Sequence, residues 1–230
     1  MSATPVVHEL RLHVWRLRDA LRDHVRGRAH RQGVFQRIYD KNLWGDSESV
    51  SGRGSGTAAT DAIRRELPLL FERYGIRSLL DAPCGDFHWM KHVVDALDHY
   101  AGVDIVPDLI DRNTRLYGTD RISFVCADIA ADRLPTADAV LCRDCFIHLP
   151  TRLIRAALAN FRAAGIRYLL LTNDSDADVY HDIPIGSFRR VNFTAPPFSF
   201  PDPVSVVRET LNGSRQLCLW ELESLFIGDT

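Results

Sequence analysis

Five short apolar runs alternate with helix-like stretches between residues 58 and 172, and that alternation leaves few folds open. The runs are Ser78–Ala82, Tyr100–Ile105 ("YAGVDI"), Ile122–Ala127 ("ISFVCA"), Ala137–Arg143 ("ADAVLCR") and Arg167–Thr172 ("RYLLLT"). Helices are expected over Ala58–Tyr74, Phe87–Ala96, Pro107–Tyr117 and Pro150–Ala164. Short buried strands between helices build a parallel sheet covered on both faces. Further on, Val204–Leu211 and Arg215–Leu222 read as strands joined by Asn212-Gly213-Ser214, a strong hairpin signal. The expectation is an α/β fold: a mostly parallel seven-stranded sheet ending in an antiparallel hairpin, with a helical extension in front.

That extension occupies residues 1–57. Val7, Leu10, Val14, Leu17 and Leu21 recur at three- and four-residue spacing, which predicts an amphipathic helix over about residues 5–28. Its arginine-rich other face admits two readings. The favoured one packs the helix on the domain or on a second subunit, as in a homodimer; the other lays it on a membrane, against which Glu9, Asp19 and Asp23 speak. A short second helix is expected over Val34–Tyr39. Residues 44–57 ("WGDSESVSGRGSGT") have linker composition, yet they begin with Trp44. A lid that folds over a ligand and a plain linker are the two readings of this segment.

The strand ends carry the chemistry. Ligands of parallel α/β sheets bind outside the carboxyl ends of the strands. Asp81, Asp104, Asp128 and Asp144 follow four successive strands. Gly85 stands in the first turn, where a missing Cβ lets backbone approach a ligand. Asp104 follows it by 19 residues, the place of an acid that takes both ribose hydroxyls. Asp128 can accept from an exocyclic amine. A single such acid is often a turn or helix cap, but the ordered set points to a nucleoside ligand.

"LLDAPCGDFHWM", "YAGVDI", "FVCADI" and "DAVLCRDCFIHLP" resemble the successive motifs of the class I S-adenosylmethionine-dependent methyltransferases, from about residue 58 to 172. The resemblance implies the Rossmann-like methyltransferase fold, with residues 1–57 as N-terminal helices and cofactor lid and 58–230 as the methyltransferase domain. It implies S-adenosylmethionine as cofactor. Asp81 and Gly85 would lie near the methionine part, Asp104 and Ile105 at the ribose, and Asp128 and Ile129 beside the adenine. Arg143 or Asp144 would lie near the transferred methyl, and Trp44 and Ser55 belong to the lid. Pro83 and Phe87 depart from the family's glycine-rich turn, so the course of that turn is open. Trp44–Ser55 and "APPFSFP" resemble, less specifically, a bacterial subgroup that O-methylates sugars and other small natural products.

The leading function is therefore O-methyl transfer to a small hydroxylated acceptor, a sugar or glycoside first. The alternatives are a nicotinamide-dependent oxidoreductase and a non-catalytic binding or dimerisation module. The oxidoreductase lacks Gly-x-Gly-x-x-Gly, and an acid at the end of strand one would repel a pyrophosphate. A net charge of −2, and strand ends free of basic stretches interleaved with aromatics, argue against nucleic acid. No apolar run approaches the roughly 20 residues of a membrane span. The scattered cysteines read as reduced thiols of a cytoplasmic protein, and Cys142 and Cys145 as strand-end core rather than a metal pair.

Transfer to a hydroxyl needs a base or a metal. Asp144 and His148 are four residues apart, so one helical turn would put both on one face, with His148 as the base; a purely structural His148 is the alternative. In a metal version, Asp144 with Asp174 or Asp176 would hold Mg²⁺ through oxygen ligands. Tyr180, Phe188, Phe193 and Phe198 are candidate walls of the acceptor cavity, or else core under a long loop.

Overall fold

The strand runs form as their composition dictates. The computed structural model describes residues 5–209 and 213–226, with the side chains of 5–13, 16 and 24 outside the description. Strands β1 (Ser78–Asp81), β2 (His99–Asp104), β3 (Ile122–Cys126), β4 (Ala139–Cys142) and β5 (Tyr168–Asp174) pair in parallel. The antiparallel β6 (Ser205–Arg208) and β7 (Arg215–Glu221) complete a seven-stranded sheet in the order β3-β2-β1-β4-β5-β7-β6. The expected hairpin is thus present, although Asn212 of its turn lies outside the described residues. The chain order reverses between β1 and β4, and this is where such sheets open a ligand crevice.

Both faces are covered. Helix α1 spans Pro5–Arg26, α2 Arg28–Asp40, α3 Asp61–Tyr74, α4 Pro107–Tyr117 and α5 Thr151–Ala163. Leu79, Leu141 and Leu170 face Ile63, Leu67 and Phe71 of α3 on one side. Leu80, Val140 and Leu169 face Ile154, Ala157 and Phe161 of α5 on the other. Helix α4 starts where expected because Pro107 at its first position has the right φ and no N–H to leave unpaired. No described helix is long and apolar enough to cross a membrane.

Three expectations need correction. The helix predicted over Phe87–Ala96 is absent, and two 3₁₀ turns, Met90–His92 and Val94–Ala96, stand in its place. Phe87 adopts φ 59° and is buried among Tyr100, Tyr117 and Phe124 at ring distances of 5.0, 5.1 and 5.2 Å. A right-handed helix starting there would break that packing. Helix α2 begins at Arg28, not Val34; its inner face includes buried Arg31, which an apolar pattern does not register.

The orientation of α1 is also reversed from a domain-packed apolar face. Asp19 and Asp23 face inward. Asp19 bonds His30 at 3.0 Å and the Ile185 N–H at 3.1 Å. Asp23 pairs with Arg31 at 2.7 Å and with Arg152. Val14, Leu17, Leu21 and Val25 are exposed. Finally, of the two readings of the aromatics, core under a long loop holds for Phe193 and Phe198, which do not line the cavity: with Phe200 they form a ring cluster that reaches Trp220. Tyr180 packs edge-on against Phe198 and bonds Thr151 at 2.6 Å. Phe188 alone of the four is exposed, 5.9 Å from the His148 ring.

Candidate active site

A cavity of about 1170 Å³, counting its open mouth, lies over the carboxyl ends of β1, β2, β3 and β4. It is lined by Asp81, Gly85, Asp104, Ile105, Asp128, Ile129, Arg143, Asp144 and His148. The 44–57 segment reaches over it with Trp44, Val50, Ser51 and Ser55. Every residue predicted for the cofactor or for the base is therefore in one place.

The acids differ in state because their surroundings differ. Asp81 accepts from the Tyr100 hydroxyl at 2.7 Å, yet burial, with the neighbouring Asp104 charge, pushes its pKa up to about 7. Asp104 receives the Gly85 N–H at 3.2 Å and the Val106 N–H at 3.0 Å. Burial outweighs those bonds and raises it to about 6. Each Asp104 oxygen keeps a further lone pair, so the carboxylate is oriented and still able to accept. Asp128 is less available than expected: Arg31 Nε donates to one oxygen at 2.5 Å and the Ala130 N–H to the other at 2.9 Å.

The turn after β1 is shaped for close approach. Gly85 has φ 53°, and a Cβ there would stand 2.1 Å from Ser51 Oγ. Asn113 donates to the Gly85 carbonyl at 2.8 Å. Sequence reasoning passed over Asp86, which anchors the covering segment. Ser49 Oγ and the Val50 N–H donate to its carboxylate at 3.0 and 3.1 Å, and Ser51 Oγ at 3.3 Å. A Cβ at Gly54 would lie 2.7 Å from Asp144 Oδ2. The segment is thus bound to the site rather than loose. The local hint in the sequence was Trp44 at the head of a segment of linker composition.

Asp144 and His148 both line the cavity, but not through one helical turn. Asp144 has φ 52°, and a 3₁₀ turn, Phe146–His148, follows it. Burial would raise Asp144, but Arg143 at 3.3 Å and Arg215 at 3.2 Å override it and hold the carboxyl below its ordinary value. Such a carboxylate is a poor proton acceptor. Arg143 in turn forks onto Glu209 at 3.2 and 2.8 Å, so its charge is spent inside the protein. His148 is different. Its Nδ1 lies 2.8 Å from the Ser187 carbonyl, which can only accept, so Nδ1 carries the proton and Nε2 the lone pair. Burial lowers its pKa, and Trp44 stacks on the ring at 5.0 Å and 27°.

The predicted metal set does not assemble. Asp174 and Asp176 are outside the cavity lining. Asp174 is held by Arg215 and Arg190 at 3.2 and 3.4 Å, and Asp176 by Arg190 and Ser214. Each carboxylate of the trio is neutralised by arginine, which is the opposite of what a divalent cation requires. No cluster of metal-ligating side chains occurs among the described residues.

Residues 79–164 match the methyltransferase-domain family. No curated protein matches the chain. Among solved structures, human N-acetylserotonin methyltransferase in complex with S-adenosylmethionine is similar at a TM-score of 0.54 and 12% identity, over 87% of this chain and 58% of that one. TnmH is similar at 0.54 and 16%, over 74% and 58%. The N-methyltransferase NodS of Bradyrhizobium japonicum WM9 is similar at 0.49 and 14%, over 70% and 98%. The chain thus spans little more than half the length of the first two. The sheet order and these likenesses show the Rossmann-like methyltransferase fold, and the methyltransferase-domain match spans the strand ends that line the acid-bearing crevice.

Proposed function

We propose that the chain is an S-adenosylmethionine-dependent O-methyltransferase acting on a hydroxyl of a small molecule, with a sugar or glycoside as the preferred acceptor class. The carrying observation is His148: a half-buried imidazole whose Nδ1 proton is fixed by the Ser187 carbonyl, leaving Nε2 to take a proton at the cavity. Bound S-adenosylmethionine supplies a methyl already activated on a sulfonium. His148 removes the hydroxyl proton as the oxygen attacks, and Trp44 keeps the ring in place by stacking. Asp144, held ionised by two arginines, stabilises the imidazolium that results.

Asp104 with Ile105 would hold the ribose and Asp81 the methionine ammonium. Ile129 with Phe35 would flank the base, and Gly85 would give backbone access. Asp128 would act through its bond to Arg31, fixing α2 over the crevice rather than reaching the adenine alone. Residues 1–57 then serve as cap and lid for a domain of residues 58–230. The sugar preference rests on the aromatic side chains of Trp44 and Tyr39 at the cavity, the latter with a hydroxyl. The dinucleotide alternative is weakened because no α-helix starts after the Gly85 turn, so no helix N-terminus meets a pyrophosphate.

The test is calorimetry with S-adenosylhomocysteine, followed by a panel of glycosides, phenols and amines with product detection by mass. Binding with methylated glycosides supports the reading. Binding with methylated amines alone overturns the O-transfer, and absence of binding overturns the cofactor.

A further inference from the structure

The face of α1 that points away from the cavity is unused by any function described above. Val14, Leu17, Leu21 and Val25 form a row along it, exposed by 39%, 59%, 64% and 72%, with Trp15 at 65% beside them. Arg18, Arg22 and Arg26 are exposed on the flank next to that row. The two acids of the helix whose side chains are described, Asp19 and Asp23, are turned the other way. Asp19 is bonded to His30 and Ile185, and Asp23 is paired with Arg31 and Arg152. Among the described outward-facing residues of α1, none is acidic.

We propose that α1 is a docking helix for an anionic membrane surface, lying in the headgroup plane with its leucine and valine row immersed and its arginines on lipid phosphates. A helix of 22 residues is about 33 Å long, enough to lie flat across several headgroups. Apolar burial and arginine attraction act together here, and an indole at the flank suits the boundary between tails and water.

A second copy of the chain fits the same face less well. In an antiparallel two-fold pair, like flanks of the two helices face each other, so Arg18 and Arg22 would meet their own equivalents with no acid between them. Pairing of the apolar row in a dimer would also leave Trp15 and the arginines unexplained. Of the acids that weigh against a membrane in the sequence, Asp19 and Asp23 lose that weight because the fold has turned them inward, and the Glu9 side chain lies outside the description. This inference is independent of the proposed chemistry.

The test is flotation of the full chain with phosphatidylcholine vesicles, with and without phosphatidylglycerol, alongside light scattering of the free protein. The expected result is a monomer that floats with the anionic vesicles only and is released by salt. Leu17→Asp with Leu21→Asp should abolish flotation while leaving the circular dichroism spectrum and the S-adenosylhomocysteine affinity unchanged, since both side chains are solvent-exposed. Arg18→Gln and Arg22→Gln should each weaken vesicle binding by about fivefold. Failure to float with anionic vesicles overturns the proposal. So does flotation that survives the leucine pair, or a dimer that the leucine pair splits, which would make a second copy the occupant.

Discussion

Asp81→Asn tests the electrostatics of the crevice most directly. The Asp81 carboxyl is buried, and its pKa is pushed from 3.8 to about 7, chiefly by burial. A folded-state pKa above the unfolded one means that the folded chain binds more protons between those values. The stability of the empty protein is therefore highest at low pH and is lost as pH rises from about 4 to about 7. The span between 3.8 and about 7 corresponds to about 4 kcal/mol as an upper bound. Solvent in the open cavity reduces this, and ~1–3 kcal/mol is the working figure at pH 8. Asp81→Asn retains an acceptor for the Tyr100 hydroxyl and removes the charge. For a chain of this size, the ligand-free variant should melt about 3–10 °C above the wild type at pH 8. The difference should shrink toward pH 5. S-adenosylmethionine should bind more weakly to the variant, because the buried charge is there for a cationic ligand. Scanning fluorimetry across pH 5–8, with and without cofactor, reads all three. A ligand-free variant no more stable than wild type at pH 8 would refute the reasoning.

His148→Ala should lower kcat by roughly 10²–10⁴ with cofactor affinity nearly intact, and the acid limb of the wild-type rate profile should lie below the ordinary imidazole pKa, since burial lowers His148. Full activity in that variant moves the base elsewhere. Asp86→Ala removes the bonds to Ser49, Val50 and Ser51, so hydrogen exchange over residues 44–57 should speed up even with cofactor saturating. Unchanged exchange would mean that Trp44 alone holds the segment. Chelator treatment should leave the rate unchanged, because Asp144, Asp174 and Asp176 are each neutralised by arginine. A loss restored by Mg²⁺ would contradict the ion pairing described here.

The sheet was legible because its signals are local. A run such as "RYLLLT" is apolar on both faces within six residues, Pro107 marks a helix start by its own ring, and a strand-end acid sits at a fixed place relative to its strand. Hence the seven strands, α4 and the ring of acids around the crevice could be read without coordinates. The missing helix after Gly85 could not. Its sequence is compatible with a helix, and only the pocket formed by Tyr100, Tyr117 and Phe124 holds Phe87 in a left-handed backbone conformation. The same holds for the charges. Arg31 meets Asp128 across 97 residues, Arg143 meets Glu209 across 66, and Arg215 meets Asp144 across 71. No periodicity encodes such pairs, yet they decide that Asp144 stays ionised and that Asp128 is occupied. Helix α1 shows the limit most plainly. Its spacing reveals a stripe of apolar side chains, but which side of a helix is covered depends on what the fold puts beneath it. Here His30, Arg31 and Arg152 drew Asp19 and Asp23 inward and left Val14, Leu17, Leu21 and Val25 in water.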